Sequence, residues 1–199
     1  CLATNPPPRP SVAPDRIPAP ADWPGGDTLA DLDLLPRPDW AGGLRAAWTP
    51  GEDGAQARLE VFLDSAVTHY KTQRDFPAAP ATSRLSPHLA FGEIGPADIW
   101  HATLDSIADA DKPTSRNAWS FLRELGWRDF AHHLLDAFPD LPEQNMKRQF
   151  DDFAWRDDAE ALSAWQAGRT GYPIVDAGMR ELWTTGWMHN RVRMIVASF

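Results

Sequence analysis

Eleven of the nineteen prolines in this chain of 199 residues fall within the first fifty positions. Proline has a fixed φ and no N–H to donate, so neither a helix interior nor a central strand tolerates such a density. Runs such as Pro6-Pro7-Pro8-Arg9-Pro10 and Pro18-Ala19-Pro20 favour extended backbone. Residues 1–48 therefore read as a Pro-rich interdomain linker or arm. Its Trp23, Leu29, Leu32, Leu34, Leu35 and Trp40 are candidates to dock on another surface. A linker at the start suggests a preceding domain outside this chain, and the core must come from residues 49–199.

That second part is punctuated as helices. Thr49-Pro50-Gly51-Glu52 has the form of a capping box with proline at the first helical position. Leu59, Phe62, Leu63, Ala66, Val67 and Tyr70 then follow at helical spacing, which predicts one helix ending before Pro77. Further helices are expected from Ser86 to Gly92, from Gly95 past Ile107, from about Thr114 to Ala137, from Ala159 to Gly168, from Pro173 to Gly186, and from His189 or Asn190 onward. β-Branched alternation and Asn-Gly or Asp-Gly hairpin turns are missing, so the expected class is mainly α. The last residues, Met194 to Phe199, are apolar and lack a stop signal. More of the domain is expected beyond them.

Apolar residues make up 43% and charged residues 24%, as in soluble globular proteins. No run approaches the ~18 apolar residues of a helical membrane span, so no membrane partner is expected. The single cysteine, Cys1, leaves no internal disulfide framework and no cysteine-built zinc site. A cytoplasmic location suits that. The net charge of −9 makes the chain a poor non-specific binder of nucleic acid. The charge is uneven: residues 1–111 hold 8 Lys and Arg against 16 Asp and Glu, whereas residues 112–199 hold 11 against 12. Only the second half can supply a basic face. His132 and His133 are adjacent and diverge on a helix, and no metal, Walker or nucleophile-elbow motif is present.

Four segments carry candidate chemistry. Thr82-Ser83-Arg84-Leu85-Ser86 sets three hydroxyls and a guanidinium before a helix start, which reads either as a plain cap or as an anion site. Phe121, Glu124 and Arg128 share one helix face, with Trp127 close by. That reads either as a helical Arg–Glu pair or as a carboxylate with a raised pKa in apolar surroundings. Arg191 and Arg193 are two apart, so they diverge by about 200°; one can face outward to phosphate and the other inward. Tyr70 and Arg74 close the first helix, where Arg74 can simply pair with Asp75.

Taken in order, these segments resemble the photolyase/cryptochrome family in its flavin-binding helical domain. The matching stretches are Tyr70 to Pro77, Thr82 to Ser86, Glu124 to Phe130, Ala164 to Arg180 and Gly186 to Met194. The resemblance covers about residues 45–199 and implies a domain, cut short at its C-terminal side, that binds FAD and damaged DNA. It implies that Tyr70, Thr82, Ser83, Arg84, Leu85, Ser86, Phe121, Arg128 and Arg193 bind the cofactor. Glu124, Trp127, Asn190 and Met194 would form the lesion pocket, and Arg74 and Arg191 would contact DNA phosphates alongside Glu124, Trp127 and Asn190. Trp155 resembles the outer tryptophan of the chain that photoreduces the flavin.

The implied activity is light-driven repair of cyclobutane pyrimidine dimers, a deoxyribodipyrimidine photo-lyase reaction, by a monomer. Excited reduced FAD would pass an electron to a flipped-out lesion. Glu124 would hydrogen-bond the base carbonyl as it gains charge. Asn190 together with Met194 resembles the class I cyclobutane-dimer pattern, whereas animal cryptochromes tend to carry His, and plant cryptochromes Asp, where Asn190 stands. The alternative is a cryptochrome-type photoreceptor that signals through a protein partner. The family also implies an antenna chromophore, of folate or deazaflavin type, on the missing N-terminal domain.

Overall fold

The computed structural model describes residues 6–22, 24–154 and 156–199. Cys1, Trp23 and Trp155 lie outside the described residues. Nine α-helices are present among the described residues, with no strand: α1 (Gly42–Ala47), α2 (Glu52–Asp64), α3 (Tyr70–Gln73), α4 (Ser86–Phe91), α5 (Pro96–Ser106), α6 (Lys112–Ala137), α7 (Ala159–Gln166), α8 (Pro173–Thr185) and α9 (Asn190–Ser198). The mainly α class follows from the sequence as expected.

Several ends fall where the caps put them. Asp111 accepts a 2.9 Å bond from the Thr114 N–H and starts α6, with Pro113 in its first turn. Asp158 does the same for α7 through the Ala161 N–H. Gly92 and Gly186 close α4 and α8 in the left-handed conformation, at φ of 72° each. The first helix departs from expectation. Its N-cap is Gly51, at φ 96°, and no side-chain cap forms there, so Thr49 does not build the capping box. Glu52 and Asp53 instead complement the dipole from the first turn.

The helix expected to run on to Tyr70 breaks at Ser65, at φ −131° and ψ −62°. Hydroxyls take the carbonyls that a continuing helix would use: Ser65 Oγ donates to Val61 O at 2.8 Å, and Thr68 Oγ1 to Ser65 O at 2.8 Å. A 3-10 turn (Ala66–His69) follows before α3. The break redirects Tyr70 and Arg74, and it is what lets them face α6.

Two apolar cores result. In the larger one Leu59 and Phe62 of α2, Val67, Tyr70, Leu85, Ile99 and Trp100 of α5 close around Ala118, Phe121 and Leu122 of α6. In the smaller one Val175 and Met179 of α8 meet Met188, Val192 and Val196, with Trp165 of α7 against them. A Cβ on Gly178 would lie 2.5 Å from Val192 Cγ1, so glycine sets how closely α8 and α9 approach.

The Pro-rich segment is held at its ends. Arg9 forms a two-pronged pair with Asp105 (2.9 and 3.1 Å), and the Pro7 carbonyl lies 2.9 Å from His101 Nε2. Near residue 48, α1 lies on α8: a Cβ on Gly43 would overlap the Thr184 carbonyl at 2.2 Å, and Trp48 Nε1 donates to Thr185 O at 2.6 Å. Of the described apolar candidates, Trp40 stacks on Trp183 at 6.0 Å, while Leu29, Leu32, Leu34 and Leu35 remain exposed. Polar contacts, a close-packed glycine and the Trp40 stack do the docking, not these four leucines.

The loop before α8 hangs on one buried carboxylate. Asp176 accepts from the Thr170 N–H and hydroxyl, each at 2.7 Å, and from the Gly171 N–H at 3.0 Å. The Thr170 hydroxyl and the two N–H groups hold its pKa below the ordinary value, against the opposing effect of desolvation. A depressed carboxylate stabilises the fold above its unfolded pKa, and that contribution is lost as pH falls through the folded one. Asp176→Asn is therefore expected to lower the melting temperature at neutral pH. The gap to the parent should narrow below about pH 4. Melting curves across that range check this; a gap that is constant with pH contradicts it.

Candidate functional site

Tyr70, at the start of α3, is buried against Phe121 of α6, with ring centroids 5.5 Å apart and edge to face. Phe62 completes the group at 4.5 Å from Phe121 and 5.8 Å from Tyr70. From this cluster Tyr70 lines two adjoining hollows, and Phe121 the second of them. The first, a cleft of about 270 Å³, is lined by Arg74, Asp75, Thr82, Arg84, Trp187, Asn190, Arg191 and Arg193, among others. The second, about 610 Å³, has mostly apolar walls from Leu89, Ile99, Phe121 and Leu125, with Arg128 and His132 at its side. Tyr70, Ser83, Leu85, Ser86 and Glu124 line both.

The cleft is built from segments far apart in sequence. The turn at Ser65 delivers Tyr70 and Arg74, the 82–86 segment leads into α4, α6 contributes Glu124, and α9 brings Asn190, Arg191 and Arg193. His189 starts α9 by accepting a 3.1 Å bond from the Arg191 N–H through Nδ1. Arg84 sits at φ 54°, a left-handed conformation that costs a non-glycine residue about 1–3 kcal/mol. The strained backbone sets its guanidinium 4.3 Å from the Trp187 ring centroid. At the start of α4 no hydroxyl caps the helix. That removes the plain-cap reading and leaves Thr82, Ser83 and Ser86 lining the cleft.

The charges fall into two sets. Glu124 pairs with Arg74, Arg74 Nε lies 3.6 Å from Asp75 Oδ1, and Arg191 Nε donates to the same Asp75 oxygen at 2.7 Å. This row of four alternates in sign and sums to zero. Glu124 therefore does not pair with Arg128 along the helix, nor does it sit in purely apolar surroundings. Arg128 reaches the Leu89 carbonyl instead, at 3.4 Å. The second set, Arg84 and Arg193, has no carboxylate within ion-pair distance among the described residues; Arg193 donates to the Met188 carbonyl at 3.3 Å. The cleft thus presents two unmatched positive charges.

Electrostatics follow the geometry. Burial, with Glu124 beside it, pushes the Tyr70 hydroxyl up to about 12, so it remains a proton donor at neutral pH. Burial works against the Arg74 charge, but Glu124, Tyr70 and Asp75 outweigh it and hold its pKa above the ordinary value. The Arg191 hydrogen bond, then the Arg191 and Arg74 charges, hold Asp75 below its usual value. The donor set suits a ligand that is anionic at one end and flat and apolar at the other. Two unmatched arginines and three hydroxyls meet the charge of a diphosphate, and the adjoining hollow offers Leu85, Leu89, Phe121 and Leu125 to rings.

Two expected site residues lie outside the lining of either hollow. Trp127 is 64% exposed, on the half of α6 that extends beyond its neighbours, with Phe130 edge-on at 5.9 Å. Met194 is half exposed, and its sulfur accepts from Arg191 Nη1 at 3.4 Å. Two residues of the cleft were not among the expected site residues. Asp75 reaches a partner 116 positions away, and Trp187 serves as the platform for Arg84. The positive φ at Arg84 is equally invisible in sequence.

The chain is similar to several known proteins. Residues 121–199 match the family described as the FAD binding domain of DNA photolyase. A deoxyribodipyrimidine photo-lyase of Agrobacterium fabrum is 54% identical over 96% of this chain and 39% of its own length. Cryptochrome-2 of Arabidopsis thaliana is 40% identical over 78% of this chain and 26% of its own. Among solved structures, a bacterial class III photolyase from Agrobacterium tumefaciens superposes with a TM-score of 0.86 at 54% identity, over 91% of this chain and 37% of that one. The chain therefore spans less than two fifths of the length of the curated relatives it matches.

The ion pair that joins α3 to α6 has a measurable signature. Arg74→Ala and Glu124→Ala, singly and together, are expected to fail additivity by roughly 0.5–1 kcal/mol in denaturant unfolding, less in high salt, because the pair is partly exposed. Additive losses would mean that the two side chains do not pair in solution.

Proposed function

We propose that this chain, whose residues 121–199 match the FAD binding domain of DNA photolyase, forms the flavin- and DNA-facing part of a light-driven enzyme that repairs cyclobutane pyrimidine dimers. The observation that carries this reading is the cleft itself. It sets two unmatched arginines and a ring-sized apolar hollow beside a row of charged and amide side chains open to solvent. The 54% identity with a class III photolyase favours class III over the class I pattern suggested by Asn190 and Met194.

Arg84 and Arg193, with the hydroxyls of Thr82, Ser83 and Ser86, hold the cofactor's diphosphate. Phe121, Leu85 and Tyr70 exclude water from its rings, and Arg128 closes the apolar side. Bound reduced FAD supplies, on excitation by light, the electron that opens the cyclobutane ring and receives it back. Arg74 and Arg191 take DNA phosphates. Asn190 and Glu124 meet the extruded bases, and Trp127, exposed on α6, offers an apolar wall to them.

The pairing with Arg74 revises the chemistry of Glu124. Paired with Arg74, Glu124 offers its oxygens as acceptors and so meets the imide N–H of a pyrimidine. Met194 acts through Arg191, whose guanidinium it touches. Trp155 keeps the role of outer tryptophan in flavin photoreduction, and an antenna chromophore belongs to a part of the protein outside this chain. The protein acts as a cytoplasmic monomer on UV-damaged DNA.

The test is repair of dimer-containing DNA by the full-length protein with reduced flavin, in light and in darkness. Dimers are expected to disappear only under illumination. Glu124→Ala should lower the yield per photon about two- to tenfold, the worth of one hydrogen bond, without loss of flavin. Flavin binding with no repair in light favours the photoreceptor reading instead. An unchanged yield in Glu124→Ala removes that residue from the lesion contact.

A further inference from the structure

Asp75 has no role in holding flavin or lesion, yet it lines the cleft and is bound to both arginines read as phosphate contacts. One of its oxygens accepts from Arg191 Nε at 2.7 Å and lies 3.6 Å from Arg74 Nε. We propose that Asp75 is a built-in counter-anion that competes with the DNA backbone for Arg191 and Arg74, and thereby limits how tightly the protein holds intact DNA. This rests on the reading of Arg74 and Arg191 as phosphate contacts.

Charge arithmetic supports it. With Asp75 in place, the row Glu124, Arg74, Asp75, Arg191 is neutral and exerts little net pull on a polyanion. A phosphate that takes Arg191 must first displace the carboxylate from the donor edge it occupies. The remaining contact of Arg191 is a thioether at 3.4 Å, a weak acceptor that leaves the guanidinium otherwise available. Strength decides whether such displacement is feasible. The Asp75 and Arg191 side chains are 52% and 38% exposed, and exposed pairs contribute little. An arginine–phosphate contact is charge-assisted and able to be bidentate. Exchange is therefore affordable at a site that binds well, and it taxes every weak encounter along undamaged DNA, where competing sites are most numerous.

The rival role for Asp75 is a latch that ties the end of α3 to α9. The two roles predict opposite signs. A latch that is lost loosens the site and weakens DNA binding. A counter-anion that is lost tightens it.

The experiment measures binding of the full-length flavoprotein to undamaged and dimer-containing duplexes across a salt series, for the parent, Asp75→Asn, Asp75→Ser and Asp75→Glu. Asp75→Asn and Asp75→Ser are expected to bind undamaged duplex about three- to tenfold more tightly at low salt. Their log–log salt slopes should steepen by about 0.9, the share of one additional phosphate. Asp75→Glu should keep the parental slope, and flavin content should be equal in all four. Weaker binding overturns the proposal in favour of the latch, and an unchanged affinity and slope in both neutral variants overturns it in favour of neither role. A parent that binds neither duplex overturns the phosphate reading and this inference together, which separates the two failures.

Discussion

The edge-to-face contact of Tyr70 with Phe121 fixes where everything else in the cleft can stand. It ties the short α3 to the long α6 and places Tyr70 in the wall of both hollows. It also brings Arg74 within reach of Glu124. That contact exists because the chain abandons its helix at Ser65. Had the helix continued in register, Tyr70 and Arg74 would lie on the phase set by α2. The serine and threonine hydroxyls that capture the last carbonyls are thus part of the site, although none of them faces it. Burial of the Tyr70 hydroxyl among these rings also keeps it protonated, so the floor of the cleft adds no negative charge.

Above that floor, the separation of charge into matched and unmatched sets gives each part of the cleft a different task. Arg84 and Arg193 have no carboxylate partner among the described residues, and Arg84 is held over Trp187 by a backbone conformation that costs free energy. Strain of that kind persists where the surrounding structure fixes it, and here it aims a cation into the cleft. Arg74 and Arg191 are matched in advance by Glu124 and Asp75. On the proposed reading, one pair of cations is ready for a permanent anion, and the other is shielded until an anion displaces its partner. A chain with a net charge of −9 can in this way carry a local anion site without becoming a general polyanion binder.

Most helices were legible because their ends are set by local chemistry: Asp111 and Asp158 at starts, Gly92 and Gly186 at stops. Local rules failed where two of them competed. At Thr49 a capping-box pattern gave way to Gly51, and at Ser65 helical periodicity gave way to hydroxyl back-bonding. The Pro-rich segment was legible as extended backbone. Its attachment was not, because Arg9 with Asp105 and Gly43 with Thr184 are pairings across the fold that no spacing rule carries. The residues of the 82–86 segment, Phe121 and Arg193 were legible as a set through the family pattern, and the structure gathers them around adjoining hollows. The partner of Glu124 was misjudged for a physical reason. Arg128 lies one turn along α6 and is the partner that helix geometry offers, but the break at Ser65 delivers Arg74 from another element.

The central claim is that the unmatched arginines and the apolar hollow together form a flavin site. The most direct measurement is a titration of FAD into the protein, followed by flavin fluorescence and by the tryptophan emission to which Trp187 contributes, for the parent and for Arg84→Ala. The account predicts saturable binding in the parent and a loss of about tenfold or more in affinity for Arg84→Ala, the scale of a charge-assisted hydrogen bond. FAD that binds equally well to both proteins would contradict it.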